Sequence, residues 1–305
     1  MVTSTPAHLR LDMNAIINGK PVNPIGLGCV TFGREIDEAA SFALMDHAHA
    51  RGVTLFDTAS AYGAGASERI VGAWLASRQP VSLVVATKIL PPFTPEKISA
   101  DVDESLRRLG VDVLDLLCLH RWDASLSAGS LAGLDALLRA GKVRALGASN
   151  FNATQLADAI RLQSAAGLAQ FSVVQNNHNL AVSDLTPEFR AVCAEHALTV
   201  VTYSPLGAGF LTGKHQRGVQ PGTRFALVPG HQDVYFHEEA RRRLARLESV
   251  AARTGHAMTH LALAWALHQP GVASVLVGGR TTAHLDQAWA AQTFDDPEIF
   301  AELTP

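Results

Sequence analysis

Cysteine is scarce in this chain. Cys29, Cys118 and Cys193 are odd in number, far apart and without metal-ligand spacing. That excludes a disulfide scaffold and points to reduced thiols in a cytoplasmic protein. A dominant charge is also missing: 25 Lys and Arg face 28 Asp and Glu, a formal net charge of −3. No basic block stands out, so nucleic acid is not an expected partner. No run approaches the roughly 18 apolar residues of a bilayer span, so a membrane partner is not expected either. Met1 to Arg10 lack the apolar core of a secretory leader. No Ser/Gly linker or shift in composition divides the chain, which predicts one domain over residues 1–305. With 48% hydrophobic residues, the chain is far from a disordered composition.

What the chain has is a repeat. Short apolar runs lie at Ile25–Cys29, Val53–Asp57, Leu83–Lys88, Leu114–His120, Arg144–Ser149, Phe171–Gln175, Leu198–Tyr203 and Ser274–Gly278. The first seven start roughly 27 to 31 residues apart, the length of one strand and crossover helix. They are apolar on both faces, as strands of a covered parallel sheet must be. Amphipathic patterns separate them: Glu38–Ala50, Glu68–Arg78 with Ser67 as N-cap, and Lys97–Leu109 opened by Pro95 and closed by Gly110. Eight such units predict a (β/α)8 TIM barrel. The rival is a doubly wound sheet. Gly26-Leu27-Gly28 follows an apolar run as its fingerprint would, but position 31 is Thr and no acidic ribose partner follows. Ala15 to Val22 reads as an N-terminal β-hairpin turning at Asn18-Gly19, which would plug the barrel bottom. About 70 residues separate the seventh and eighth runs. They hold a Gly/Pro-rich loop (Lys214 to His237) and two extra helices, Glu238–Arg253 and Met258–Leu267.

In a barrel of this kind the chemistry sits at the carboxyl ends of the strands. Asp57 ends the second run, Lys88 the third and His120 the fourth, with Tyr62 shortly after Asp57. Three buried ionisable groups near a Tyr would each be costly unless paired. Lys88 beside Tyr62 would lower a phenol pKa that starts near 10, and Asp57 would keep Lys88 charged. His120 would hydrogen-bond the same oxygen or orient a substrate carbonyl. Such a Tyr is a general acid for a carbonyl oxygen becoming an alkoxide. No side chain supplies the hydride that carbonyl reduction needs, so a nicotinamide is implied.

The motifs Gly26-Leu27-Gly28 with Phe32-Gly33, Phe56-Asp57-Thr58-Ala59 through Tyr62-Gly63, Ala86-Thr87-Lys88, Leu119-His120, Gly141-Lys142-Val143-Arg144 to Gly147-Ala148-Ser149-Asn150-Phe151, and Tyr203-Ser204-Pro205-Leu206 occur together and in order. On these the chain resembles the aldo-keto reductase family over roughly Asn14 to Ala290. The resemblance implies a catalytic tetrad of Asp57, Tyr62, Lys88 and His120, with Tyr62 as proton donor. It implies that Ser149, Asn150 and Gln175 hold the nicotinamide carboxamide and that Tyr203 stacks on its ring. Ser204, Leu206, Ala208 and Lys214 match the loop around the pyrophosphate, and Arg224 a basic position reaching the nucleotide. Gly28, Cys29 and Asp57 would line the nicotinamide end. Gly278, Arg280, His284 and Gln287 would line the adenosine end, where His284 and Gln287-Ala288 depart from the Gln or Arg and the Glu-Asn of similar members. Arg280 suits a 2′-phosphate, so NADP(H) is the expected cofactor and NAD(H) the alternative.

The expected substrate is a small carbonyl or alcohol compound. Val30, Tyr62, His120 and Trp122 would touch it, Trp122 serving as pocket wall or as loop anchor. Further walls are expected from Phe32 and from Phe225, Tyr235 and Phe236 in the insertion. The chain ends soon after its last helix, so no long C-terminal loop is expected over the pocket. His256 and His260 have helical ligand spacing but no carboxylate between them and no obvious third ligand, so no metal is expected. A nucleotide-sensing binding protein is the second reading, against which the intact tetrad counts. The oligomeric state is not legible in the sequence.

Overall fold

The computed structural model describes residues 15–304; the Met1–Arg10 segment discussed above lies outside them. A two-stranded antiparallel hairpin comes first, β1 (Ile16–Ile17) and β2 (Lys20–Pro21). Eight parallel strands follow: β3 (Ile25–Gly28), β4 (Leu55–Asp57), β5 (Val84–Ile89), β6 (Leu116–Leu119), β7 (Leu146–Ser149), β8 (Val173–Asn177), β9 (Thr199–Tyr203) and β10 (Val272–Val277). They close in the order β10-β3-β4-β5-β6-β7-β8-β9, each strand paired with the next in the chain and β10 returning to β3. This is the (β/α)8 barrel that the eight apolar runs predict. A doubly wound sheet would have left two open edges.

Helices cover the outside: α1 (Glu38–Ala50), α2 (Ala66–Arg78), α3 (Pro95–Leu109), α4 (Ala128–Arg139), α5 (Ala153–Ala165) and α6 (Pro187–Glu195). Between β9 and β10 come α7 (Arg224–Leu227), α8 (His231–Tyr235), α9 (Glu238–Thr254) and α10 (Met258–Leu267), and after β10 come α11 (Thr282–Gln292) and α12 (Pro297–Leu303). Local chemistry fixes most starts. Asp37 and Thr94 accept N-terminal amide bonds of α1 and α3, and Ser127–Ser130 and Asn152–Gln155 form reciprocal capping pairs on α4 and α5. Left-handed Gly110 and Gly255 end α3 and α9.

Two local expectations are corrected. Ser67 is not an N-cap, because α2 starts at Ala66, two residues before the expected Glu68. Its buried hydroxyl instead donates to the Cys29 carbonyl at 2.8 Å and meets Thr58 Oγ1 at 2.8 Å. Tertiary partners outbid the local one. The stretch expected as a loop from Lys214 to His237 contains the short helices α7 and α8, held by Phe225 and Tyr235, which sink into the core.

The hairpin turns at Asn18 (φ 53°) and Gly19 (φ 72°), the left-handed pair such a turn needs. Ala15, Ile17 and Val22 pack in one cluster with Leu55, Val84, Leu116, Cys118, Val173, Val201 and Leu276. Those strand residues share one parity and fill the barrel interior, so the hairpin seals its floor. The same parity continues upward to Asp57, Lys88, His120, Ser149, Gln175, Tyr203 and Gly278. Side chains alternate strictly along a strand, so these residues share the inward parity near the carboxyl ends of seven strands, and on β8 Asn177 follows Gln175 in the same parity. The eighth, β3, ends in Gly28.

Candidate functional site

The centre of that layer is a buried ion pair. Asp57 and Lys88 are 2% and 1% exposed, and Lys88 Nζ lies 2.6 Å from Asp57 Oδ2. The ammonium also donates to the Thr58 carbonyl at 3.0 Å and to the Tyr62 hydroxyl at 3.2 Å. Two buried charges are tolerated because each is paired and further hydrogen-bonded. Tyr62 opens a tight turn, Tyr62–Gly65, in which Gly63 (φ 56°) and Ala64 (φ 53°) are left-handed. That turn lays the ring beside Lys88, whose Nζ is 4.9 Å from the ring centre. His120 meets the Tyr62 ring edge to face, centroids 5.7 Å apart. The four residues expected at one place are at one place.

Their electrostatics differ from expectation in one respect. Burial pushes the Tyr62 phenol above its usual pKa, and although Lys88 pulls down, Asp57 adds to the rise. The expected lowering by Lys88 is therefore present but outweighed, and the phenol holds its proton at ordinary pH. Burial also opposes the Lys88 charge, yet Asp57 and Tyr62 more than compensate, so the ammonium is held more tightly than in free lysine. Burial drives His120 down to about 3, helped by the charges of Lys88 and Arg121. His120 is neutral, and its Nδ1 is buried without a partner.

Around this centre a polar belt ties strand ends together. Gln175 Nε2 donates to Asp57 Oδ1 at 2.8 Å, and Ser149 Oγ donates to the Gln175 carbonyl at 2.8 Å. Asn150, left-handed at φ 57°, accepts from the Tyr203 hydroxyl at 2.6 Å and donates to the His120 carbonyl at 2.8 Å. Ser149, Asn150, Gln175 and Tyr203 lie together at the strand ends, and the sequence gave no sign of these mutual bonds. They join residues up to 118 positions apart.

Beyond β9 the chain winds through left-handed Ser204, Gly207, Ala208 and Gly209 in a tight stretch ending at Thr212. A Cβ on Gly209 would lie 3.3 Å from Lys214 Nζ, so the bare backbone leaves room for that side chain. Leu206 is half-buried behind it. After β10, Gly278 runs so close to Gly28 that a Cβ would meet the Gly28 carbonyl at 3.2 Å. Lys214 lies close enough to Arg280 that the guanidinium, after burial, holds its pKa down. Arg280 donates to the Gly222 carbonyl at 2.8 Å. Arg224 pairs with Glu35 at 3.1 Å on the loop after β3. His284 and Gln287 lie exposed on the first turns of α11, and His284 Nδ1 is 2.9 Å from Thr281 Oγ1.

Several expected contact residues are elsewhere. Phe225, Tyr235 and Phe32 are core residues, 0%, 3% and 0% exposed, so they are not pocket walls. Phe225 and Tyr235 pack with Phe210 and half-buried Phe236 in an aromatic cluster under the insertion. Leu227 and Val234 are the insertion's exposed large apolar residues. Trp122 is 41% exposed on the loop after β6. Val30 is half-buried and Cys29 fully buried, its thiol pKa pushed well up by burial. The His256 and His260 rings stack on each other and meet Phe294 edge to face. Among the described residues no helix is long and apolar enough to cross a membrane.

A closed parallel barrel with a buried ion pair, a phenol and an imidazole at the carboxyl ends of its strands defines the class, a (β/α)8 protein with its polar centre at the top. Residues 24–301 match the model of the Aldo/keto reductase family, and the chain belongs to that family. It is similar to "Uncharacterized oxidoreductase YrpG" of Bacillus subtilis, 30% identical over 93% of this chain and 92% of that protein. It is similar to "Protein tas" of Escherichia coli, 31% identical over 87% of this chain and 88% of that one. "Norsolorinic acid reductase" of Aspergillus flavus is 30% identical over 88% of this chain and 73% of that protein. Membership makes the chain an oxidoreductase of carbonyl and alcohol groups, in a family that generally uses NAD(P)H.

Proposed function

We propose that the chain, as one barrel domain, is an NADP(H)-dependent oxidoreductase interconverting an aldehyde, ketone or keto-sugar and its alcohol, with Tyr62 as the proton donor. The observation that carries this is the Lys88 ammonium, 2.6 Å from Asp57 and 3.2 Å from the Tyr62 hydroxyl. The residues fit a dinucleotide. Arg280 acts repulsively on Lys214, and neither has an ion pair among the described residues, an arrangement that an anionic phosphate would relieve. The bare Cα atoms at Gly28, Gly209 and Gly278 permit close approach. In this reading Gly278, Arg280, His284 and Gln287 hold the adenosine end. Arg280 is the residue that favours NADP(H) over NAD(H). Ser204, Leu206, Ala208 and Lys214 hold the pyrophosphate, with Arg224 nearby. Ser149, Asn150, Gln175 and Tyr203 hold the nicotinamide against Cys29 and Asp57.

A bound nicotinamide would supply the hydride. The protein's part is the proton. Tyr62 is protonated at neutral pH and hydrogen-bonded to an ammonium that stabilises the phenolate it leaves behind. Asp57 keeps that ammonium charged and in place. Neutral His120 shares the mouth with Tyr62 and directs the carbonyl oxygen without adding a competing charge. Val30 and Trp122 flank the substrate, and the soluble interior is the place of action, the cytoplasm. Single-turnover oxidation of bound NADPH by a carbonyl panel tests the reading. Tyr62→Phe should slow it on the order of 10²-fold or more while NADPH binding, read by Trp quenching, stays nearly unchanged. Equal inertness of wild type and variant across sugars, quinones and aryl aldehydes would favour a nucleotide sensor.

A further inference from the structure

The Lys88 ammonium has three protons and three acceptors: Asp57 Oδ2 at 2.6 Å, the Thr58 carbonyl at 3.0 Å and the Tyr62 hydroxyl at 3.2 Å. Nothing is left over. Asp57, however, has a second oxygen, and a freely turning carboxylate would present both to the ammonium. The acceptor to lose would be the most distant, Tyr62. What occupies Asp57 Oδ1 is Gln175 Nε2, at 2.8 Å. In the ring of strands β4 and β8 stand opposite each other, with three strands between them on either side. Gln175 therefore reaches across the barrel from the far wall, a span that the longer amide side chain suits. Both residues are buried, 3% and 2% exposed, so water does not substitute for either.

We infer that Gln175 is a positioning residue, fixing the rotation of the Asp57 carboxylate so that Lys88 keeps one proton on the Tyr62 hydroxyl. This rests on the proposed function and adds to the cofactor contact assigned to Gln175 there. Two effects have the same sign. Without the amide, Asp57 competes for the third ammonium proton, and its unscreened charge acts more strongly on the phenol. Both raise the phenol pKa.

The chain has three Tyr, so the Tyr62 titration is separable. It is read as the difference absorbance near 295 nm between each protein and the same protein carrying Tyr62→Phe, over the alkaline range where circular dichroism shows the fold intact. Gln175→Met, which keeps length and removes the donor, should move the Tyr62 phenol up by about one pH unit, the scale of a hydrogen bond to a charged group. The alkaline rise in alcohol oxidation with NADP+ should shift equally. Gln175→Glu, whose protonated carboxyl also donates to Asp57, should lose rate as that carboxyl ionises, a pH dependence that Gln175→Met lacks. An unmoved Tyr62 titration in the free Gln175→Met protein, with only the NADP+ Kd changed, overturns the inference. Failure of the wild type to oxidise any alcohol would instead overturn the proposed function, because the titration needs no turnover.

Discussion

The Tyr203 hydroxyl donates to Asn150 Oδ1 across 2.6 Å, and the other end of the same amide donates to the His120 carbonyl at 2.8 Å. One side chain thus joins the ends of β6 and β9 through the end of β7. Asn150 does so from a left-handed backbone, which Asn tolerates better than most residues. Asn150→Ala should lose both bonds and keep the unfavourable φ, costing about 2 kcal/mol in urea unfolding. Asn150→Gly should recover the backbone part only. Equal stability of all three proteins would show that the belt is incidental.

Stability should fall below neutral pH, and His120, His178 and Asp184 contribute much of the slope. Burial, first of all, holds His120 down at about 3 and His178 at about 4. The unfolded imidazoles, near 6.5, take up protons before the folded ones, so acidification favours unfolding. Asp184 acts the other way, because burial lifts it to about 6, above the unfolded value near 3.9. As pH falls through 6 toward 4 the folded carboxyl binds its proton first and offsets one histidine. The net loss from these groups is then about 1.4 kcal/mol per pH unit, and Asp184→Asn should raise it to about 2.7. Urea midpoints at three pH values between 6.5 and 4.5 measure it, and parallel slopes would discount the Asp184 assignment.

Arg280→Ala should weaken NADPH binding at least tenfold and NADH binding little, since only the former carries the extra phosphate. The guanidinium bond from Arg280 to the Gly222 carbonyl, also lost, would affect both dinucleotides alike. Equal weakening of the two in direct titration would therefore place Arg280 in the loop's structure and not at the phosphate.

Two helical glycines make a matched pair. A Cβ on Gly72 in α2 would lie 2.5 Å from the Leu109 carbonyl oxygen, backbone that cannot step aside, whereas one on Gly133 in α4 meets Pro95 at an ordinary 3.4 Å. Gly72→Ala should destabilise by about 2 kcal/mol or more through the parting of α2 and α3. Gly133→Ala should be neutral or stabilising by up to about 1 kcal/mol, through helix propensity. Thermal unfolding decides it, and a stable Gly72→Ala protein would show that the two helices have slack.

The sequence by itself determined the barrel, its hairpin floor and the inward layer of Asp57, Lys88, His120, Ser149, Gln175 and Tyr203. Strand spacing and alternation are local properties, and two-residue parity leaves no choice about which side chains face inward once a strand is placed. Helix boundaries carried by caps, such as Glu38–Ala50, were equally local. Tertiary structure decided what no neighbouring residue announces. It took Ser67 from its helix end to the Cys29 carbonyl, drew Phe225 and Tyr235 into the core, and gave Arg224 to Glu35. It raised the Tyr62 pKa where pairwise reasoning with Lys88 lowered it, because desolvation depends on everything packed around a group. The bond from Gln175 to Asp57 depends in the same way on closure of the ring, which alone brings opposite strands within reach of one side chain.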